Sequence, residues 1–164
     1  ENETQKTIPL TPSQNDIFQT TQAISKGTKF KIETTNSIEC YTYVFGQETD
    51  GSSYILFPYT PKHSPYCGIT GTRLFPKDYS LLPDSIGTKD FMAVVVTKKP
   101  IDYAALNEQI NKSKQSGYSD KIHEALSGQE VRNIHFTSEN GMVRFSTETK
   151  GENAVVVVLE IGKK

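Results

Sequence analysis

Between residues 52 and 85 the chain reads SSYILFPYTPKHSPYCGITGTRLFPKDYSLLPDS, and this stretch limits what the whole sequence can become. It holds five of the eight prolines and six of the sixteen Phe and Tyr residues. Proline fixes φ and has no N–H to give. Pro58 must therefore close the strand-like run Tyr54-Ile55-Leu56-Phe57, and Pro76 the run Thr72-Arg73-Leu74-Phe75. Aromatic side chains set between such stops predict a long, ordered loop fastened to a sheet.

The flanking sequence supplies that sheet. In residues 28–34 Phe30 and Ile32 alternate with Lys29, Lys31 and Glu33, the period of a half-buried strand. Residues 38–45 carry Ile38, Cys40 and Val44 on one side and Tyr41, Tyr43 and Phe45 on the other, so this strand is central, with both faces covered. Asp50-Gly51 turns the chain so that 54–57 pairs back on Val44 and Phe45. Residues 90–97 (DFMAVVVT) and 154–161 (AVVVVLEI) read as further strands, the second buried on both faces. Ser138-Glu139-Asn140-Gly141 predicts a hairpin between 130–136 and 142–147. Helical spacing appears in one place: Asp102 caps a helix carrying Ala105, Leu106 and Ile110, and Ser119 opens a second with Ile122 and Leu126. The fold class is mainly β, a β-sandwich-like domain with a short two-helix insertion. The alternative is an α+β fold with the helices on one face of an antiparallel sheet. Residues 1–26 read as an N-terminal lead-in, in which 17–24 is an edge strand or a helical turn; residues 27–164 form a single β-rich domain.

Charge excludes one class of partner. Eighteen Lys and Arg against nineteen Asp and Glu leave no basic excess for a nucleic acid. The longest apolar run, 154–159, is far short of the roughly 20 residues a membrane span needs. The first residue is Glu1, the expectation for a processed or engineered N-terminus. The oligomeric state leaves no signature. The two cysteines, Cys40 and Cys67, form no CxxC and leave two readings open. They are either a disulfide in an exported protein, stabilising by roughly 3–4 kcal/mol on the chain-entropy model, or two reduced thiols with at least one buried.

Reactive groups are few. His63 and Cys67, four apart in the loop, offer a Cys–His pair for a cysteine-dependent hydrolase, but nothing nearby orients the histidine or activates the thiol. Cys40, His63, Cys67 and His135 match no zinc spacing, so no metal or cofactor is expected. Asp50, Asp78, Asp84 and Asp90 stand where turns use aspartate. Gly68–Gly71 lacks the GK[ST] of a phosphate loop, and Asn111-Lys112-Ser113 is a sequon of the kind that arises by chance. What remains is a candidate binding surface of Tyr59, Lys62, His63, Tyr66, Arg73 and Tyr79, suited to a peptide, a glycan or a neighbouring domain. Its competitor is that the tyrosines pin the loop and satisfy their hydroxyls locally.

Three stretches carry a family likeness. Gly27-Thr28-Lys29-Phe30-Lys31-Ile32, Cys40-Tyr41-Thr42-Tyr43-Val44-Phe45, and the Asp50-Gly51 turn into Leu56-Phe57-Pro58 resemble the bacterial domain of unknown function 4384 family. Leu82-Pro83 and the strand 91–97 extend the likeness, which covers roughly residues 27–100, and the 56–83 version is similar to a Bacteroides-type subgroup. The resemblance implies a noncatalytic accessory or interaction module of an exported or envelope-associated protein, located extracytoplasmically in the periplasm or cell envelope. Its partner is then a protein, either a neighbouring domain or an envelope component, and no catalytic residue carries over. An exported setting favours the Cys40–Cys67 bridge. The alternative function is a small-ligand or glycan-binding domain using the aromatic loop 58–83.

Overall fold

A strand that is apolar at nearly every position needs cover on both faces, and Ala154–Gly162 is such a strand, partly exposed only at Glu160 and Gly162. The computed structural model describes residues 5–14, 17–69, 71–131, 134–148 and 151–164. Within them the elements are β1 (Leu10–Pro12), β2 (Ile17–Thr20), β3 (Ile32–Thr35), β4 (Cys40–Gln47), β5 (Ser53–Phe57), β6 (Tyr66–Cys67), β7 (Thr72–Phe75), β8 (Lys89–Thr97), α1 (Tyr103–Lys112), α2 (Tyr118–Ala125), β9 (His135–Glu139), β10 (Met142–Ser146) and β11 (Ala154–Gly162).

The main sheet runs β1-β2-β11-β8-β4-β5, with β6 continuing the β5 side of β4. All its pairings are antiparallel except β11 with β2. Period two sorts the side chains. Tyr43, Phe45, Val95, Val156 and Val158 face Leu106, Ile110, Ile122 and Leu126 of the helical segment. Val44, Val94, Val157 and Leu159 face the other way, onto Phe57, Phe75 and the ribbons β3–β7 and β9–β10. The protein is a mainly β domain with a two-helix insertion. The helices take one face of the sheet, and two short ribbons take the place of a full second sheet.

The local expectations held where the period was clean. β4 is central, and Val44 pairs with Phe57 across the Asp50-Gly51 turn. Asp102 caps α1 by accepting from the Ala105 N–H at 2.9 Å. At Gly46 an added Cβ would lie 2.6 Å from the Tyr54 ring, so the absent side chain lets that ring cross the strand. Three details differ. The lead-in 1–26 contributes β1 and β2 to the main sheet, because Phe18 and Ile24 reach the core although their surroundings are polar. The hairpin 135–146 stands apart as a ribbon, since only Phe136, Val143 and Phe145 turn inward and its other face is wet. Gly117 caps α2 in place of Ser119.

One charge is held inside this frame. Lys163 has a side chain 1% exposed, and its Nζ lies 2.6 Å from Asp84 Oδ1, Asp90 Oδ1 and the Ile86 carbonyl. Burial pulls its pKa down, but the hydrogen bonds to Asp84 and Asp90 outweigh it and hold the ammonium above its usual value. Asp84 is held below the usual carboxylate value, first by Lys163 and then by the Ile86 N–H. Lys163→Met strands both carboxylates and should cost about 3 kcal/mol, the low end for breaking a buried pair because Asp84 still meets water. The depressed Asp84 stabilises above its unfolded value of 3.8 and loses that contribution as pH falls through the lower folded value. The raised Lys163 stabilises below 10.5 and loses its contribution above it. Urea unfolding of both proteins across pH should show a gap that is flat between these limits and narrows outside them.

Candidate functional site

Because β5 ends at Phe57 and β7 at Phe75, each immediately before a proline, the chain between them arches over one end of the sheet. The Phe57 and Phe75 rings meet at 4.8 Å underneath. Above them the loop organises around Asp78, a residue whose sequence neighbours point to turn chemistry alone. Its Oδ2 accepts from the Tyr59 hydroxyl at 2.6 Å and lies 2.8 Å from His63 Nε2. His63 Nδ1 lies 2.7 Å from Thr60 Oγ1, and Thr60 Oγ1 also accepts from the Lys62 N–H. Tyr59 stacks on His63 at 4.0 Å and meets Tyr79 edge-on at 5.0 Å. Tyr79 in turn donates to the Leu56 carbonyl at 3.1 Å. The Tyr79 bond ties the loop to the sheet, and the others brace the loop on itself, as the competing reading expected.

Of the candidate surface, Tyr59, His63 and Tyr79 therefore come together, while Lys62 is exposed beside them. Arg73 and Tyr66 belong to a second cluster around β6. Arg73 donates to Asn36 Oδ1 at 3.0 Å and to the Gly68 carbonyl at 2.9 Å, and Asn36 donates to the carbonyl of Ile38. Tyr66 packs edge-on against Tyr41 and hydrogen-bonds Glu39, which raises its phenol pKa. This corner leaves Ile38, Tyr66 and Ile69 at 56%, 44% and 63% exposure.

The cysteines lie beneath. Cys40 and Cys67 face each other across the β4–β6 ladder, buried and unbridged. The Cys67 thiol donates to Thr42 Oγ1 at 3.5 Å and to the Pro65 carbonyl at 3.6 Å. The neighbouring Cys40, with Thr42 and the charges of Arg73 and Lys77, holds the Cys67 thiol below its usual value against the effect of burial. The neighbouring Cys67 and burial push Cys40 up. His63 turns both ring nitrogens to Thr60 and Asp78, so the structure does not assemble the Cys67–His63 pair of a hydrolase. Among the described residues no three His, Cys, Asp or Glu side chains converge as a metal site, and no helix is long and apolar enough to cross a membrane.

A hollow of about 650 Å³ lies elsewhere, where α2 meets the sheet. Ile17, Phe91, Phe136 and Val156 are among its apolar walls, and Asp120, His123 and Glu130 its polar ones. His123 Nδ1 is 2.6 Å from Glu130 Oε1. Sequence spacing does not reveal it, because His123 falls on the surface of a helix and Glu130 at the start of an expected strand.

Among the described residues these features define a β-rich domain whose prominent loop is braced, with exposed apolar side chains at the β6 corner and a hollow beside α2. No family model, curated protein or solved structure matches the chain.

The Asp78 hub has a direct readout. Its hydrogen bond to the Tyr59 phenol, first among the causes, raises that phenol to about 12 from 10.0. In Asp78→Ala the Tyr59 titration should fall back toward 10, measured by NMR of ring-labelled tyrosine with Tyr59→Phe for assignment. An unchanged titration would mean that the two side chains do not meet.

Proposed function

We propose that this chain is a noncatalytic accessory and interaction module of an exported or envelope-associated bacterial protein, akin to the domain of unknown function 4384 family, and that its partner is another protein. The observation that supports this is the bracing of the central loop. Tyr59, His63 and Asp78 brace it internally, Tyr79 ties it to the Leu56 carbonyl, and Arg73 joins it to Asn36. A loop held this firmly presents its outer residues without a large ordering cost on binding. At the β6 corner the exposed residues are Tyr66, packed on Tyr41, and Ile38 and Ile69, with Glu39 bonded to Tyr66 and Arg73 to the Gly68 carbonyl. Exposed aromatic and aliphatic side chains with charged neighbours are a composition protein interfaces use. The extracytoplasmic location rests on the family likeness of residues 27–100.

The small-ligand reading is favoured by a different feature, the α2 hollow. Its volume lies within the usual range for small-molecule sites, and apolar walls with a few polar groups are their usual lining.

A photo-crosslinking side chain placed at position 69, with a control at position 112 on α1, separates the two in cells of a producing bacterium. The expected result is a discrete protein adduct from position 69 alone. Adducts equal at both positions, or none at 69, would overturn the interaction reading. Saturable shifts of the His123 ring on adding small amphipathic molecules would support the hollow in its place.

A further inference from the structure

Cys40 opens β4, Cys67 closes the two-residue β6, and the ladder sets the two directly opposite. Residues opposed in an antiparallel pair hold their Cα atoms about 4.5–5.5 Å apart, inside the separation a disulfide spans. Both side chains enter the same face of the sheet, in the cluster with Val44, Phe57 and Phe75. Joining the sulfurs therefore needs no change of register. The Cys67 thiol is held on the same ladder, donating to Thr42 Oγ1 at 3.5 Å and to the Pro65 carbonyl at 3.6 Å.

The surroundings make the position informative. β6 is the only described segment of the arch that pairs with the main sheet, and its ladder is short. Before it, Pro65 can only accept, taking the Thr42 N–H at 2.9 Å. After it, the Cys67 and Gly68 carbonyls are held by the Asn36 side chain. Backbone pairing thus holds the middle of a long proline-rich arch by few hydrogen bonds, at the place where a cross-strand cysteine pair sits.

We propose that Cys40 and Cys67 are a built cross-link site, oxidised by exchange with a disulfide-bearing oxidant, which bolts the midpoint of the arch to the central strand. The exchange balances in two steps. The Cys67 thiolate attacks one sulfur of the external disulfide, that S–S bond breaks, and the departing thiolate carries off the electron pair and takes up a proton. Cys40 then loses its proton and attacks the Cys67 sulfur, forming the internal bond and expelling the second external thiol. Two electrons and two protons pass from the cysteines to the oxidant. Both thiols are buried, so exchange proceeds while β6 is lifted, during folding or on local opening. This assignment stands whether or not the neighbouring corner is an interface.

The test titrates the whole chain, native and in denaturant, through glutathione buffers stepped from reduced to oxidised. Samples are quenched in acid, alkylated and weighed intact. The expected result is a monomer two hydrogens lighter with no alkyl adduct. The native protein should cross-link in buffers more reducing than the denatured chain requires, with an equilibrium constant on the order of a few hundred-fold larger for a loop of this length. Cys40→Ser, tested alongside, should instead accumulate a glutathione adduct on Cys67. Native and denatured curves that coincide would overturn the proposal. So would glutathione adducts persisting on the unsubstituted protein, disulfide-linked dimers, or two free thiols in the most oxidising buffer. The native-versus-denatured comparison decides the matter even if the serine variant fails to fold.

Discussion

The need to bury both faces of β8 and β11 governs this protein. Val94 and Val157 point one way, Val95 and Val156 the other, and the two strands pair along their whole length from Ala154 opposite Thr97 to Gly162 opposite Lys89. A sheet with one wet face would expose half of these valines, each worth about 1.5–3 kcal/mol when fully buried. Two covers are therefore required, and they are of different kinds. The helical segment covers one face with four large aliphatics, Leu106, Ile110, Ile122 and Leu126. The other face is covered piecewise by β3–β7 and β9–β10, whose own outer sides are wet and mostly polar, with Leu74 and Met142 exposed among them.

Piecewise cover explains why the long loop is built as it is. The arch from β5 to β7 must deliver Phe75 to the core beside Phe57, then return the chain to β8 past Leu81, which bridges Phe30. The two prolines that follow Phe57 and Phe75 stop each strand where its work against the core ends. The chain between them cannot pair throughout, so side chains replace the missing ladder: Asp78 gathers Tyr59 and His63, Asn36 gathers Arg73 and the Cys67–Gly68 backbone. The loop is ordered by hydrogen bonds that no local pattern announces.

That difference decides what could be read in the sequence. β4, β8, β11 and α1 were legible because their burial follows a regular period and their ends carry the usual signals, such as Asp102 before α1 and Asp50-Gly51 before β5. β2 was read only as an edge strand or a helical turn, and β1 not at all; Phe18 and Ile24 take their burial from strands more than a hundred residues away. Asp78 looked like a turn residue, and its partners stand fifteen and nineteen positions back. The facing of Cys40 and Cys67 depends on the β4–β6 register, which the intervening prolines hide. The α2 hollow joins walls from β2, β8 and β11 with polar groups from the helical insertion, a convergence that one-dimensional spacing does not encode.

The sheet's edges bear on which kind of partner the domain can hold. An open edge strand is a template for adding a strand from another chain. On β5 the Asn111 carboxamide acts as a substitute peptide, accepting from the Ser53 N–H at 2.7 Å and donating to its carbonyl at 2.9 Å, while Tyr79 occupies the Leu56 carbonyl. The sequon asparagine is thus engaged with backbone. At the other edge β1 lies between Pro9 and the terminal Pro12, neither with a donor, and both backbone groups of Leu10 are taken by Gly141 and Ser138 of the hairpin. Gly141 is required there: an added Cβ would lie 2.3 Å from Pro9, at a φ of +75°. With these groups engaged, strand addition has little to grip at either edge. A strand added to the main sheet would first have to displace these contacts at either end.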